Sequence, residues 1–106
     1  MYLRTVKEGI GVIASVHWER RLFDSLIPLP DGTSYNAYLI EGSSATALID
    51  TTDPVFRDDF LAQLDRLDRL DYLVSQHAEQ DHSGVIPDVL SRFPDATLVC
   101  SKKAEE

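Results

Sequence analysis

A layered α/β fold is what this chain of 106 residues predicts, on three observations. From residue 45 onward, β-rich apolar runs alternate with stretches whose apolar residues recur at helical spacing, in the order strand, helix, strand, helix, strand. Upstream, the glycine-containing connection Glu41-Gly42-Ser43-Ser44 joins two β-rich runs, as in an antiparallel hairpin. The composition, 43% hydrophobic and 26% charged, is that of a chain that packs a core. At this length one modest domain, residues 1–106, is the ceiling.

The elements follow in order. Residues 9–17 are short of charge and rich in β-branched side chains, so they read as a strand. Trp18-Glu19-Arg20-Arg21-Leu22-Phe23-Asp24 has no clear period and runs into Pro28, Pro30, Asp31 and Gly32, which marks a surface loop. Thr33–Ile40 and Ala45–Asp50 are the two strands of the hairpin. Asp53 as N-cap and Pro54 at the first helical position start a helix whose Phe56, Phe60, Leu61, Leu64 and Leu67 share one face, and that face covers a sheet. Asp71–Gln76 is a strand too apolar at its centre to lie at an edge. Ser83-Gly84 opens a second helix with Val85, Ile86, Val89, Leu90 and Phe93 as its apolar face, ended by Pro94-Asp95. Ala96–Ser101 is the last strand, with Cys100 buried at its end in a structural role. Ser101 is a good N-cap for Lys102–Glu106, yet a single turn has no independent stability, so the chain reads as the leading part of something longer.

Charge and composition exclude several function classes. A formal charge of −8 repels nucleic-acid backbones and anionic lipid. No run approaches the ~18 apolar residues of a spanning helix, and Met1-Tyr2-Leu3-Arg4 opens no secretory signal. The cytoplasm is the expected compartment, and a lone cysteine forms no internal disulfide.

The chemistry concentrates in His77-Ala78-Glu79-Gln80-Asp81-His82. Two imidazoles and two carboxylates follow an apolar strand and precede a glycine, and all four can donate lone pairs to a metal ion. A loop at the carboxyl end of a strand lets such side chains converge. The helix expected at Ser83 turns its N-terminus toward them, favouring ionised Glu79 and Asp81. The competing reading makes His77 a strand end, Glu79 and Asp81 solvated charges, and Asp81 or Ser83 a helix cap. Asp50, closing the hairpin, is a candidate partner for orienting a ligating imidazole. His17 reads as a packed histidine, and Trp18, Phe23, Tyr35 and Tyr38 as core or pocket wall.

Leu73–Gly84 resembles the first metal-binding loop of flavodiiron proteins. Trp18-Glu19-Arg20-Arg21, the stretch Gly32–Ile40 and Leu48-Ile49-Asp50-Thr51 match the same family in order and spacing. The resemblance implies the first half of a metallo-β-lactamase-like αββα sandwich. It also implies a non-haem diiron centre that reduces O2 to water or NO to N2O, with His77 and Glu79 on one iron and Asp81 and His82 on the other. Hydrolytic relatives carry histidine where this chain has Glu79. An anionic oxygen there favours iron over zinc, which makes a dizinc hydrolase the weaker alternative. In some members the equivalent of His82 is turned away from the metal; Asp24 stands where some have a pocket histidine, but surface charge is the better reading of it.

The family further implies an FMN-carrying flavodoxin-like domain, an electron donor such as rubredoxin, NAD(P)H or another reductase, and a homodimer. No histidine follows His82, and the FMN domain is absent from these 106 residues. The expectation is therefore a piece that is inactive alone, the alternative being a non-catalytic fragment or association module. With half a sandwich, an exposed sheet edge and self-association are expected.

Overall fold

Two hairpins and two strand–helix–strand crossovers build one sheet with helices on a single face. The computed structural model describes residues 3–17, 22–23, 27–28 and 33–105, the short segments 22–23 and 27–28 by their backbone alone. The strands are β1 (Leu3–Lys7), β2 (Ile10–His17), β3 (Leu22–Phe23), β4 (Ile27–Pro28), β5 (Thr33–Glu41), β6 (Thr46–Ile49), β7 (Tyr72–Val74) and β8 (Thr97–Val99). Six of them form the main sheet in the order β1-β2-β5-β6-β7-β8, and β3 pairs with β4 apart from it.

The sheet changes character along its width. β1, β2, β5 and β6 are antiparallel neighbours, while β6, β7 and β8 run parallel. The 41–44 connection makes the expected hairpin, with Leu39 opposite Leu48 and Glu41 opposite Thr46. Each parallel step needs a crossover, and the two helical segments supply them. One crossover is the 3-10 turn Pro54–Phe56 continuing into α1 (Arg57–Gln63), the other α2 (Gln80–Ser83) with α3 (Ile86–Arg92); α4 (Lys102–Glu105) closes the chain.

Alternation along the strands selects the buried face. Tyr35, Ala37 and Leu39 point inward, whereas Ser34, Asn36, Tyr38 and Ile40 point out. Ile13, Leu48 and Leu73 join that inner face and meet Phe60, Leu64, Leu70, Val85, Val89 and Phe93 from the helical layer. The opposite face leaves Val16, Tyr38, Ile40, Tyr72 and Val99 exposed.

The start of the first helix follows the sequence reading. Asp53 Oδ1 accepts the Val55 amide at 3.1 Å, and Pro54 occupies the first turn. Leu64 and Leu67 lie past the helix, in turns closed by Leu64 N–H to Leu61 O and Leu67 N–H to Leu64 O, both 3.0 Å. Arg66 donates to the Glu41 carboxylate through both guanidinium nitrogens, joining this connection to the hairpin. Bonding to Arg66 holds the Glu41 carboxyl below its ordinary range.

Four expectations need correction. β1 was not expected, because four of its five residues are exposed and Leu-Arg-Thr-Val-Lys carries no inward alternation. The segment read as a plain loop contains the β3–β4 pair, while Trp18–Arg21 and Asp24 lie outside the described residues. Gln80–Ser83 is already helical, so the second crossover helix begins before Ser83-Gly84 and breaks there. β8 is an edge strand with Leu98 and Val99 exposed, and Cys100 beyond it is only half-buried, so an apolar run here does not mean a buried strand.

Candidate metal centre

The polar chemistry gathers where the parallel strands end. The ladder runs one step beyond β6 and β7: Asp50 N–H bonds Val74 O at 2.8 Å and Ser75 N–H bonds Val99 O at 2.8 Å. Two segments leave this end of the sheet side by side. One is Asp50-Thr51-Thr52-Asp53, buried throughout despite four polar side chains. The other is the donor segment His77–His82.

Asp50 bends the first segment sharply. Its φ of 66° lies in the left-handed region, which aspartate tolerates better than most residues. That bend lets Oδ1 accept the Gln76 amide at 2.8 Å and leaves Oδ2 3.5 Å from His82 Nδ1. Thr51 follows with its amide bonded to His82 O at 2.7 Å and its hydroxyl donated to the same oxygen at 2.9 Å. That hydroxyl also accepts the Val85 amide at 3.2 Å. Two residues further on, Asp53 Oδ2 accepts from Gln80 Nε2 at 3.3 Å.

The donor segment starts open and ends helical. His77 and Glu79 lie before α2, their side chains 51% and 42% exposed, with His77 Nε2 3.2 Å from Glu79 Oε1. Glu79 O then accepts the amides of His82 and Ser83, both at 2.9 Å, which starts α2. The Ser83 hydroxyl donates to Ala78 O and Glu79 O, so it braces this turn and does not cap the following helix. Asp81 and His82 therefore ride on a helical turn, their side chains 9% and 27% exposed, with Asp81 Oδ2 3.7 Å from His82 Nε2.

Gly84, at the end of the turn, is glycine for a steric reason. A Cβ there would lie 2.4 Å from Pro54 Cδ and 2.6 Å from Gln80 O. Glycine lets the start of the first crossover press against the start of the second.

The four predicted donors are thus brought to one place as two pairs, and the His77 and His82 rings meet edge-on with centroids 5.3 Å apart. Among the described residues, no three His, Cys, Asp or Glu side chains converge into a ready cage. A cation nevertheless fits the donors present. Asp81 Oδ1 and His82 Nδ1 are buried with no hydrogen-bond partner among the described residues. A buried, unpaired polar atom costs about 1–3 kcal/mol, and a bound cation removes that cost for a carboxylate. The two donor types in this set, carboxylate oxygen and imidazole nitrogen, suit a hard or borderline transition metal.

Asp50 is where the sequence placed it, beside an imidazole of the donor set. Thr51 was missed. Its signal was a run of four polar residues directly after an apolar strand, too long to be one helix cap. His17 ends β2, far in sequence from the donors, and only its backbone is described.

Comparison with known proteins bears on the same residues. Residues 30–106 match the family model described as the metallo-beta-lactamase superfamily. The chain is 39% identical over 102 residues to diflavin flavoprotein A 1 of Synechocystis sp., covering 93% of this chain and 18% of that protein. It is 37% identical over 103 residues to a nitric oxide reductase of Moorella thermoacetica, covering 93% of this chain and 26% of the relative. The fold superposes on rubredoxin oxygen:oxidoreductase from Desulfovibrio gigas with a TM-score of 0.88 at 30% identity, over 98% of this chain and 27% of that one. The chain spans about a sixth to a quarter of the length of these relatives.

Proposed function

Because this chain belongs to the metallo-β-lactamase superfamily and matches flavodiiron proteins within it, we propose that it supplies half of a non-haem diiron centre in a flavodiiron oxidoreductase. In this reading residues 1–106 are the leading half of the metal-binding domain of a longer protein. The substrate is O2, reduced to water, or NO, reduced to N2O. The remaining ligands and an FMN domain come from outside these residues, as does an electron donor such as rubredoxin, NAD(P)H or another reductase. A homodimer in the cytoplasm completes the reading; no described helix is long and apolar enough to cross a membrane.

The donor set carries the proposal. His77, Glu79, Asp81 and His82 would hold the iron, and iron bound there supplies the one-electron steps that O2 or NO reduction needs. Glu79 puts an anionic oxygen where hydrolytic relatives have a histidine nitrogen, favouring iron and its ferric state over zinc. Asp81 adds a second carboxylate, itself largely closed to solvent. Asp50 Oδ2 stands 3.5 Å from His82 Nδ1, on the side from which a carboxylate would fix a ligating imidazole.

The test is metal preference. Equilibrium dialysis of the protein against equimolar ferrous iron and zinc, without oxygen, is expected to load iron ahead of its position in a histidine-rich site. Glu79→His is expected to shift the iron-to-zinc ratio toward zinc by about tenfold. An unchanged ratio in Glu79→His would sink the proposal.

A further inference from the structure

The break between α2 and α3 is filled by a side chain from another part of the chain. Where helices kink, a group inserted into the backbone ladder is a common cause. Here Pro87, in the first turn of α3, has no amide to continue the ladder, and the Thr51 hydroxyl fills the break. It donates to His82 O at 2.9 Å and accepts from the Val85 amide at 3.2 Å, while the Thr51 amide adds a bond of 2.7 Å to the same His82 oxygen. Thr51 is fully buried, so water is not present to replace either bond. Its own position is fixed in turn by the left-handed bend at Asp50.

We propose that Thr51 is a positioning residue for the metal centre, its hydroxyl fixing the His82 backbone so that Asp81 and His82 face the ion. The inference rests on the metal-binding reading above and extends it to a residue that touches no donor side chain. The reason is geometric. A side chain's direction is set by its own backbone, and the His82 carbonyl is held by two bonds from Thr51. Releasing the hydroxyl leaves the Val85 amide without its acceptor and the His82 carbonyl on the Thr51 amide alone, so the Asp81–His82 turn is held less firmly although Pro87 still keeps α2 and α3 apart. The carboxylate and imidazole lose their fixed direction with it.

Two variants separate the hydroxyl from the volume of the side chain. Thr51→Val keeps the shape and removes the hydroxyl; Thr51→Ser keeps the hydroxyl and removes a methyl. Cobalt(II) titration of the protein, followed by visible absorption, is expected to give Thr51→Ser an affinity within about threefold of wild type. Thr51→Val is expected to bind about tenfold or more weakly, the loss typical for a group that orients metal ligands. Thr51→Ala replaces the valine variant should that fail to fold. Wild-type affinity in the valine or alanine variant, or a serine variant as weak as they are, overturns the proposal.

A second readout needs no metal. The His82 ring carbon–proton resonances are expected to differ from those of exposed His77 in wild type and Thr51→Ser, and to move toward them in Thr51→Val. Unmoved His82 resonances in Thr51→Val overturn the positioning role. Absence of cobalt binding in every protein, with the resonances shifting as expected, rejects the metal reading and leaves the clamp standing.

Discussion

The two halves of the donor segment carry the same chemistry in opposite mechanical settings. His77 and Glu79 sit on open backbone, half exposed, in contact with each other and, through the His77 ring, with His82. Asp81 and His82 sit on a helical turn held by Asp50, Thr51 and Gly84, with buried polar atoms that have no hydrogen-bond partner among the described residues. Each half offers one imidazole and one carboxylate. The difference teaches where precision is invested: the second half is fixed before any ion arrives, and the first half can adjust to it. If this is right, changes around the second half cost folding stability even without metal, and changes in the first half cost only metal affinity.

The largest effect is expected at Asp50. Asp50→Ala removes the charged, buried acceptor of the Gln76 amide and places alanine at a left-handed φ. Loss of such a bond and the backbone penalty together cost about 2–4 kcal/mol. Urea denaturation of metal-free protein measures it. A loss below about 1 kcal/mol would remove the contrast between the halves, because the penalty for alanine at a left-handed φ alone reaches it.

Gly84→Ala should come next, at about 1–3 kcal/mol from overpacking. Its Cβ meets the Pro54 ring and the Gln80 carbonyl, and neither is the far end of a flexible side chain. Crowding there pushes α2 away from Pro54, so the same variant is expected to weaken metal binding at Asp81 and His82. Stability and metal affinity falling together mark the clamped half; a fall in stability alone would show that Gly84 serves packing only.

In the open half the expectation reverses. His77→Ala and Glu79→Gln should change metal-free stability by no more than about 0.5 kcal/mol, as surface substitutions do. Both should reduce the rise in melting temperature that ferrous iron gives the wild type, since that rise measures affinity through mass action. Adding a chelator should bring wild type and both variants to the same melting temperature. A variant that stayed lower under chelator would place His77 or Glu79 in the folding framework and blur the distinction.

The sequence displays the open half better than the clamped one. Donor types in His77–His82 can be read directly, and so can Asp53-Pro54 as a helix start and the 41–44 hairpin, because each is a local signal. The Gln80–Ser83 turn could not be read, because it contains no apolar residue to set a period. Thr51 was hidden for a related reason: a threonine after a strand looks like turn chemistry, and its two partners lie 31 and 34 residues away. β8 misled in the other direction, since an apolar triplet says nothing about whether a further element covers it.

The smallest effect sets the scale for an exposed charge contact, against which the His77–Glu79 pair can be judged. Glu41 and Arg66 bond at the far end of the hairpin, their side chains 40% and 52% exposed. Arg66 lowers the Glu41 carboxyl below its ordinary range, so the folded state binds its proton less readily than the unfolded state does. The pair's stabilisation is therefore present above the unfolded carboxyl's range and is lost as pH falls through the lowered folded value. Screening by solvent limits it to about 0.2–0.5 kcal/mol. Glu41→Gln should remove that much at neutral pH, with nothing lost once the wild-type carboxyl is protonated. Because His77 and Glu79 are exposed to a similar degree, their contact should be worth no more than this without metal. A double-mutant cycle giving His77–Glu79 several times the Glu41–Arg66 value would mean that the open half is pre-organised after all.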